Sequence, residues 1–395
     1  MENPRNSSSN AIGFCLLPCE LIQHILLNLA LPEIIGLKSL NKSISDIISD
    51  QVFVREYNSK SRSTNWLFVY KKRWHRDAVL HGFTDHSDRW FKLQIADLLK
   101  PIICTGDSVY FLAASGNFFL FSCNSLKEVI AVNLACKTVK KIPPSPLGPR
   151  GTSSWRRSGM KLVSRSNSFR FLFAELVETR PVLFVYASET DTWRSMEGKE
   201  HVDKLPRGSQ RVGDYIYLNV VNGPYESVVM AIALESPDEP LVVRLRFGGE
   251  RDDGERLTVG FSWGNVTDRL YVYGDGYMLV IKSNGVGDAE TGARVLNDIE
   301  LWGLGSSGRR WEYNSRIPSE IMETIKKPYR VIMGCLEHRD GVIRAALLSN
   351  FEGLWDIIWL CYNLQRCYWT WVPLPICKMK GLNMAGIAFS SGLTL

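Results

Sequence analysis

The sequence predicts a small all-α segment followed by a long all-β domain, and three observations carry the prediction. Between residues 17 and 53, apolar residues recur at helical spacing. From about residue 101 the texture changes to short apolar stretches with turn residues between them, the pattern of an all-β domain. Within that second region a strand-and-turn unit returns about every 45–55 residues, a period suited to radially repeated sheets.

The first helical element is Leu17-Pro18-Cys19-Glu20-Leu21-Ile22-Gln23-His24-Ile25-Leu26-Leu27-Asn28-Leu29. Its spacing sets Leu21, Ile22, Ile25, Leu26 and Leu29 along one stripe, the mark of a helix that must bury a face. Pro18 suits the first turn, where a missing N–H costs nothing. Pro32 opens a second helix in the same way, with Glu33 near the positive end of the helix dipole and Ile34, Ile35, Leu37 and Leu40 as its apolar positions. Ser43 is placed to cap a third helix bearing Ile44, Ile47, Ile48 and Val52. Three short helices in about forty residues bury too little surface to stand alone, so such a unit wants a partner.

These residues resemble the F-box family. The family pattern opens with Leu-Pro-x-Glu/Asp-Leu/Ile, matched by Leu17-Pro18-Cys19-Glu20-Leu21, and continues with Ile25-Leu26-Leu27-Asn28-Leu29. The basic stretch follows as Lys38-Ser39-Leu40-Asn41-Lys42-Ser43-Ile44, then Ile47-Ile48. The family's tryptophan is replaced by Ile44, and its proline after the first helix is displaced to Pro32. With a strand-rich region behind it, the whole looks like the plant F-box proteins with kelch-like repeats. The resemblance implies a substrate receptor of an SCF-type ubiquitin ligase. Its helices would dock the Skp adaptor, and through it a cullin, while the β domain holds an unidentified target protein for ubiquitination. The implied adaptor contacts are Leu17, Pro18, Leu21, Ile25, Leu29, Leu37, Leu40 and Ile44, some of them doubling as packing between helices.

The expected organisation is a disordered stretch at residues 1–12, the F-box at 13–56, a connector at 57–100 and a kelch-like β-propeller of six or seven blades at 101–395. The repeating strands are Val129–Asn133, Leu183–Tyr186, Val228–Ile232, Tyr277–Val280, Ile299–Trp302 and Ile358–Tyr362. Several lead to a tryptophan-bearing strand, as at Trp193, Trp311 and Trp369. Inner-strand echoes stand at Gly106–Leu112, Gly213–Leu218 and Asp268–Tyr273. The irregular interval between residues 280 and 302 leaves the blade count open, and Gly248-Gly249 is the one glycine pair of the kind kelch blades carry. A β-sandwich or an irregular all-β domain is the alternative architecture.

Composition agrees with a globular chain: 45% hydrophobic and 22% charged over 395 residues, long enough for a small domain plus a large one. A formal charge of +6 permits an acidic partner without demanding nucleic acid. Nine cysteines, an odd number with no Cys-x-x-Cys pair, are expected as reduced thiols of a cytoplasmic or nuclear protein. The polar first ten residues, and an apolar run broken by Glu20, Gln23 and His24, are those of neither a signal sequence nor a membrane span.

Several motifs fail on context. Gly303-Leu304-Gly305-Ser306-Ser307-Gly308 fits G-x-G-x-x-G, but a strand follows where dinucleotide binding needs a helix, so a hairpin loop is expected. Gly260-Phe261-Ser262-Trp263-Gly264 fits the hydrolase elbow, yet a turn and a strand follow instead of a helix. His75, His81 and His86 lack the close paired spacing of a zinc site. No cofactor, metal or catalytic residue is expected. The basic Lys71–Arg76 stretch, with Trp74 interleaved, reads as a solvated connector before it reads as a phosphate grip. Arg150, Arg156, Arg157, Lys161, Arg165 and Arg170 form a second basic stretch, in which Trp155, Arg156 and Arg157 are the candidate target contacts. The competing functional class is a propeller enzyme or nucleic-acid-binding propeller whose N-terminal helices are a structural cap.

Overall fold

A computed structural model of the chain describes residues 16–38, 40–61, 65–71, 78–84, 87, 89–104, 107–157, 159–165, 167–200, 215–222, 226–233, 240–247, 257–259, 261–263, 269–285, 292–305, 310–375 and 384–391. The chain divides into a helical unit reaching to Thr64 and a β unit spanning Asn65–Ser390. The expected disordered N-terminus and most of the Lys71–Arg76 stretch lie outside the described residues.

The helical unit contains α1 (Cys19–Leu26), α2 (Leu31–Leu37), α3 (Lys42–Ser49) and α4 (Gln51–Ser61). Pro18 precedes α1 and Pro32 sits in the first turn of α2, as their missing N–H groups predict. The Glu33 carboxylate accepts the Ala30 N–H at 3.0 Å, satisfying a donor that the helix leaves over. The cap of α3 is Asn41, two residues ahead of the expected Ser43, with its side-chain oxygen accepting the Ile44 N–H at 2.8 Å. Asp50 then accepts the N–H groups of Val52 and Phe53 at 2.8 and 3.1 Å. A fourth helix therefore begins where the sequence pattern continues the third. Phe53 and Tyr57 on α4 stack at 6.1 Å between centroids, and both are buried. The Tyr57 hydroxyl donates to the Leu29 carbonyl at 3.0 Å, tying α4 to the chain just past α1. Burial, with Glu33 nearby, pushes the Tyr57 phenol well above its ordinary value, so it remains a donor across the neutral range.

The β unit is a six-bladed propeller. The first blade holds β1 (Asn65–Lys71), β2 (Val79–Thr84) and β3 (Phe91–Gln94), and a short helix α5 (Ala96–Leu99) follows it. The second is β4 (Val109–Ser115), β5 (Phe118–Cys123), β6 (Glu128–Asn133) and β7 (Thr138–Ile142). After α6 (Thr152–Arg157), the third is β8 (Gly159–Arg165), β9 (Ser168–Val177), β10 (Arg180–Ala187) and β11 (Thr192–Glu197). A short β12 (Lys199–Glu200) precedes the fourth blade, β13 (Tyr215–Asn222), β14 (Glu226–Ala233) and β15 (Leu241–Phe247). Two three-residue strands, β16 (Leu257–Val259) and β17 (Phe261–Trp263), pair with the strands Arg269–Gly274 and Val331–Arg339 of the blades that follow. The fifth blade is β18 (Arg269–Gly274), β19 (Tyr277–Gly285), β20 (Arg294–Leu304) and β21 (Arg310–Arg316). After α7 (Ser319–Ile325) and β22 (Pro328–Tyr329), the sixth is β23 (Val331–Arg339), β24 (Val342–Phe351), β25 (Leu354–Asn363) and β26 (Tyr368–Val372). The last strand, β27 (Met384–Ser391), returns to pair with β1 and completes the first blade.

Consecutive strands within a blade run antiparallel, and several are joined by tight turns. Asp275-Gly276, Asp340-Gly341 and Glu352-Gly353 each place two successive residues at positive φ, the backbone of a two-residue primed turn. Hydrophobic clusters fill the spaces between blades. Phe118, Phe171 and Phe173 pack between the second and third, and Leu172, Leu218 and Met230 between the third and fourth. Tyr271, Met278 and Trp311 serve the fourth and fifth, Leu279, Ile332 and Leu360 the fifth and sixth, and Trp359 with Phe83 and Phe389 the sixth and first. Edge-to-face pairs Phe68–Phe119 and Tyr70–Phe121 join the first to the second. Because both faces of a blade are covered, strands such as β5 are buried at every position rather than alternately.

Two sequence expectations change. Residues 57–100, expected as a connector, supply the end of α4 and three strands of the first blade. The interval between 280 and 302 is irregular because Tyr277–Val280 lies on β19 and Ile299–Trp302 on β20, which are neighbouring strands of one blade and not the same strand of two blades. That resolves the blade count at six.

Candidate functional site

In α1 the apolar stripe divides into two rows. Ile22 and Leu26, four apart, are 6% and 0% exposed and face the packed helices. Leu21 and Ile25, also four apart, are 51% and 39% exposed and face outward, and Leu17, just ahead of the helix, is 36% exposed. Side chains four residues apart lie one above the other on a helix, so a broad stripe can serve an inner and an outer contact at once. Of the other expected adaptor contacts, Pro18 and Leu40 are exposed, Leu40 at 67%, and Leu29 and Leu37 are half-buried. Ile44 differs: at 4% exposed it belongs to the interior of the helical unit and offers no docking surface. Asn41 capping starts α3 with that side chain turned inward.

The candidate target segment is rearranged more strongly. Trp155 is 2% exposed and packs on Phe171 and Phe173 at 5.4 and 5.0 Å, so it is a core residue rather than a surface anchor. The cause is local: α6 lays it over the interface of the second and third blades. The Arg150 guanidinium stacks 4.5 Å from the Trp155 ring and pairs with Glu175. Arg156 and Arg157 close α6, and their side chains lie outside the described residues. At Arg150 an open recess of about 490 Å³ is bordered by Lys127, Pro149, Arg150, Ser154 and Glu175. Lys161 is directed elsewhere, to Asp275. The basic stretch is therefore not one continuous surface.

A group of charged residues that sequence reasoning missed meets near the ring axis. Lys161 of β8 donates to Asp275 Oδ1 at 2.6 Å, and the His338 backbone N–H donates to Asp275 Oδ2 at 3.1 Å. Glu337 stands next to His338 on β23, opposite Arg344 of β24. Lys161 and Asp275 are 114 positions apart and Asp275 and His338 are 63 apart, so no local signal marks the group.

Of the rejected motifs, the glycine run at 303–308 keeps its hairpin reading. Gly303 and Leu304 end β20, and the Gly305 N–H donates to the Arg310 carbonyl at 3.0 Å, making a hairpin. The Phe261–Trp263 segment is a strand, while Gly260 and Gly264 lie outside the described residues. His81 is buried in β2, and His75 and His86 lie outside the described residues. Among the described residues, no three His, Cys, Asp or Glu side chains are grouped to hold a metal, and no helix is long and apolar enough to cross a membrane.

The fold and these surfaces define the class: a six-bladed β-propeller with a short N-terminal helical region. No family model matches the chain, and no curated protein matches it. Among solved structures, a chain of a nidogen/laminin complex is similar over 84% of this chain and 100% of its own, at 9% identity and a TM-score of 0.37. TolB from Acinetobacter baumannii is similar over 89% of this chain and 74% of its own, at 10% identity and a TM-score of 0.35. The SapL1 lectin, in complex with alpha methyl fucoside, covers 80% of this chain and 95% of its own, at 12% identity and a TM-score of 0.36. Likenesses this distant do not bear on the site.

Proposed function

We propose that the chain is a two-part receptor, with the helical unit docking the Skp adaptor of a cullin ubiquitin ligase and the propeller holding a target protein. The observation that carries this reading is the outer pair Leu21 and Ile25, with exposed Leu17 just ahead of the helix, which the unit leaves open although its own interior is closed by Ile22, Leu26, Ile34 and Ile48. Large apolar side chains lined up on one helix face are the usual form of a helix that lies in a partner's groove. The F-box-like motif names the partner. In this reading the chain performs no chemistry. It raises the local concentration of target lysines at the ligase, and the propeller's loops, free of core duty, select the target.

The test is affinity purification of the tagged chain, scored for adaptor and cullin subunits. Replacing Leu21 and Ile25 together by Lys would bury unpaired charge in the interface, so capture should fall by at least tenfold with the propeller still folded. Full capture by that double variant excludes α1 as the docking element.

A further inference from the structure

The inner strands of the six blades follow one another around the axis at very short range. A side-chain carbon added at Gly386 of β27 would strike the Phe111 backbone of β4. The Ser164 N–H of β8 donates to the Ser115 hydroxyl of β4 at 3.1 Å. Gly159 of β8 leaves room only for the Asn219 backbone of β13, and Gly274 of β18 only for that of Leu336 on β23. The Tyr217 ring of β13 lies against Gly276 just past β18, and Cys335 of β23 meets the Phe389 backbone of β27, closing the circuit. The third and fifth blades are not neighbours in this ring, because the fourth lies between them. The Lys161–Asp275 contact therefore spans the middle.

We propose that Lys161 and Asp275 form a brace across the propeller axis, and that Glu337 makes this brace sensitive to protons. Asp275 is well suited to the role, since Lys161 of the third blade and the His338 N–H of the sixth each donate to one of its oxygens. Lys161 and Asp275 are partly buried, at 37% and 21% side-chain exposure, where the pair is less screened than on an open surface. Glu337 faces Lys161 from the third blade, Asp275 from the fifth, and Arg339, Arg344 and Cys335 from its own. Arg344 is engaged elsewhere: it donates to the Arg339 carbonyl at 3.3 Å, and to the Asn65 amide oxygen at 3.0 and 3.3 Å in the amide orientation that suits both groups. The ammonium that holds Asp275 is thus shared with a second carboxyl group, and an ionised Glu337 opposes Asp275.

Burial holds the Glu337 carboxyl above its ordinary value of 4.5; Asp275 adds to the rise, while Lys161, Arg344 and Arg339 oppose it. A carboxyl that keeps its proton more tightly when folded stabilises the fold below its unfolded value and loses that contribution as pH rises through its folded value. His338 acts in the opposite sense, because burial holds its imidazole below 6.5 and disfavours folding as pH falls. Comparing Glu337→Gln with the unaltered full chain removes the His338 contribution.

Thermal unfolding of both proteins should be followed from pH 4.5 to pH 8. The melting temperatures should nearly coincide at the acid end, with the variant higher by a few degrees at the alkaline end. A difference that stays flat with pH, a variant less stable at pH 8, or a variant that does not fold overturns the role of Glu337. A second measurement addresses the brace itself. Lys161→Met and Asp275→Asn should each lower the melting temperature, and the double variant should lose less than the two losses added. Strictly additive losses overturn the brace.

Discussion

The helical unit and the propeller solve the problem of apolar surface in opposite ways. Each blade has a neighbour on both faces, so whole strands such as Phe118–Cys123 disappear from solvent. Helix α1 has cover on one side only. Among the described residues, six of the thirteen exposed large apolar side chains, Leu16, Leu17, Leu21, Ile25, Leu40 and Val52, fall between residues 16 and 52. The lesson concerns what each architecture leaves to offer. A closed ring buries its apolar faces against itself and presents loops, whereas this small helical unit leaves an apolar face open.

The largest effect that would break this comparison is removal of the first blade. A fragment beginning at residue 101 lacks β1–β3, leaves β27 without its partner, and should aggregate. A fragment beginning at Asn65 should fold with a β-type circular dichroism spectrum. If both fragments fold equally well, the blade is dispensable and the ring is not the unit of stability. Next in size is Leu26→Ala in the intact chain, which empties a fully buried position at a cost of about 2–5 kcal/mol. In a unit so small that should melt the helices while the sheet signal persists, and simultaneous loss of both signals would join the two units energetically. Asn41→Ala removes the cap of α3 and should cost about 1 kcal/mol, seen as an earlier helical melting step. Smallest for stability is Leu21→Ser with Ile25→Ser, within about 0.5 kcal/mol because both side chains already face solvent. Adaptor capture should nevertheless suffer, and a marked loss of helix stability would move these residues to the interior.

Much of this organisation is legible in the chain because it is written locally. Helical spacing over residues 17–53 and the strand echoes at Val109, Tyr215 and Arg269 depend on neighbours a few positions away, and all correspond to elements of the fold. The first blade was obscure for the opposite reason. Trp66–Tyr70 and Phe91–Leu93 are strand-like, but the strand completing their sheet is Met384–Ser391, at the far end of the sequence. Within α1, periodicity identifies an apolar stripe without saying which row meets the other helices; that depends on where α2, α3 and α4 pack. Trp155 illustrates a further limit. Its arginine neighbours suggested a surface, and only the packing of α6 over Phe171 and Phe173 shows a core residue that supports Arg150. The Lys161–Asp275 pair carries no sequence signal because it is made across the ring.

The pairing of β27 with β1 also sets a schedule for synthesis. Translation delivers β1 early and its partner about 300 residues later, roughly 15–60 s at ribosomal rates of about 5–20 residues per second. Through that interval the free edge of Asn65–Lys71 is an open template for strand addition by any other chain. Cells making this protein therefore have reason to shield the nascent edge, and a premature stop anywhere before Met384 should yield a product sought by quality control, however many blades it contains.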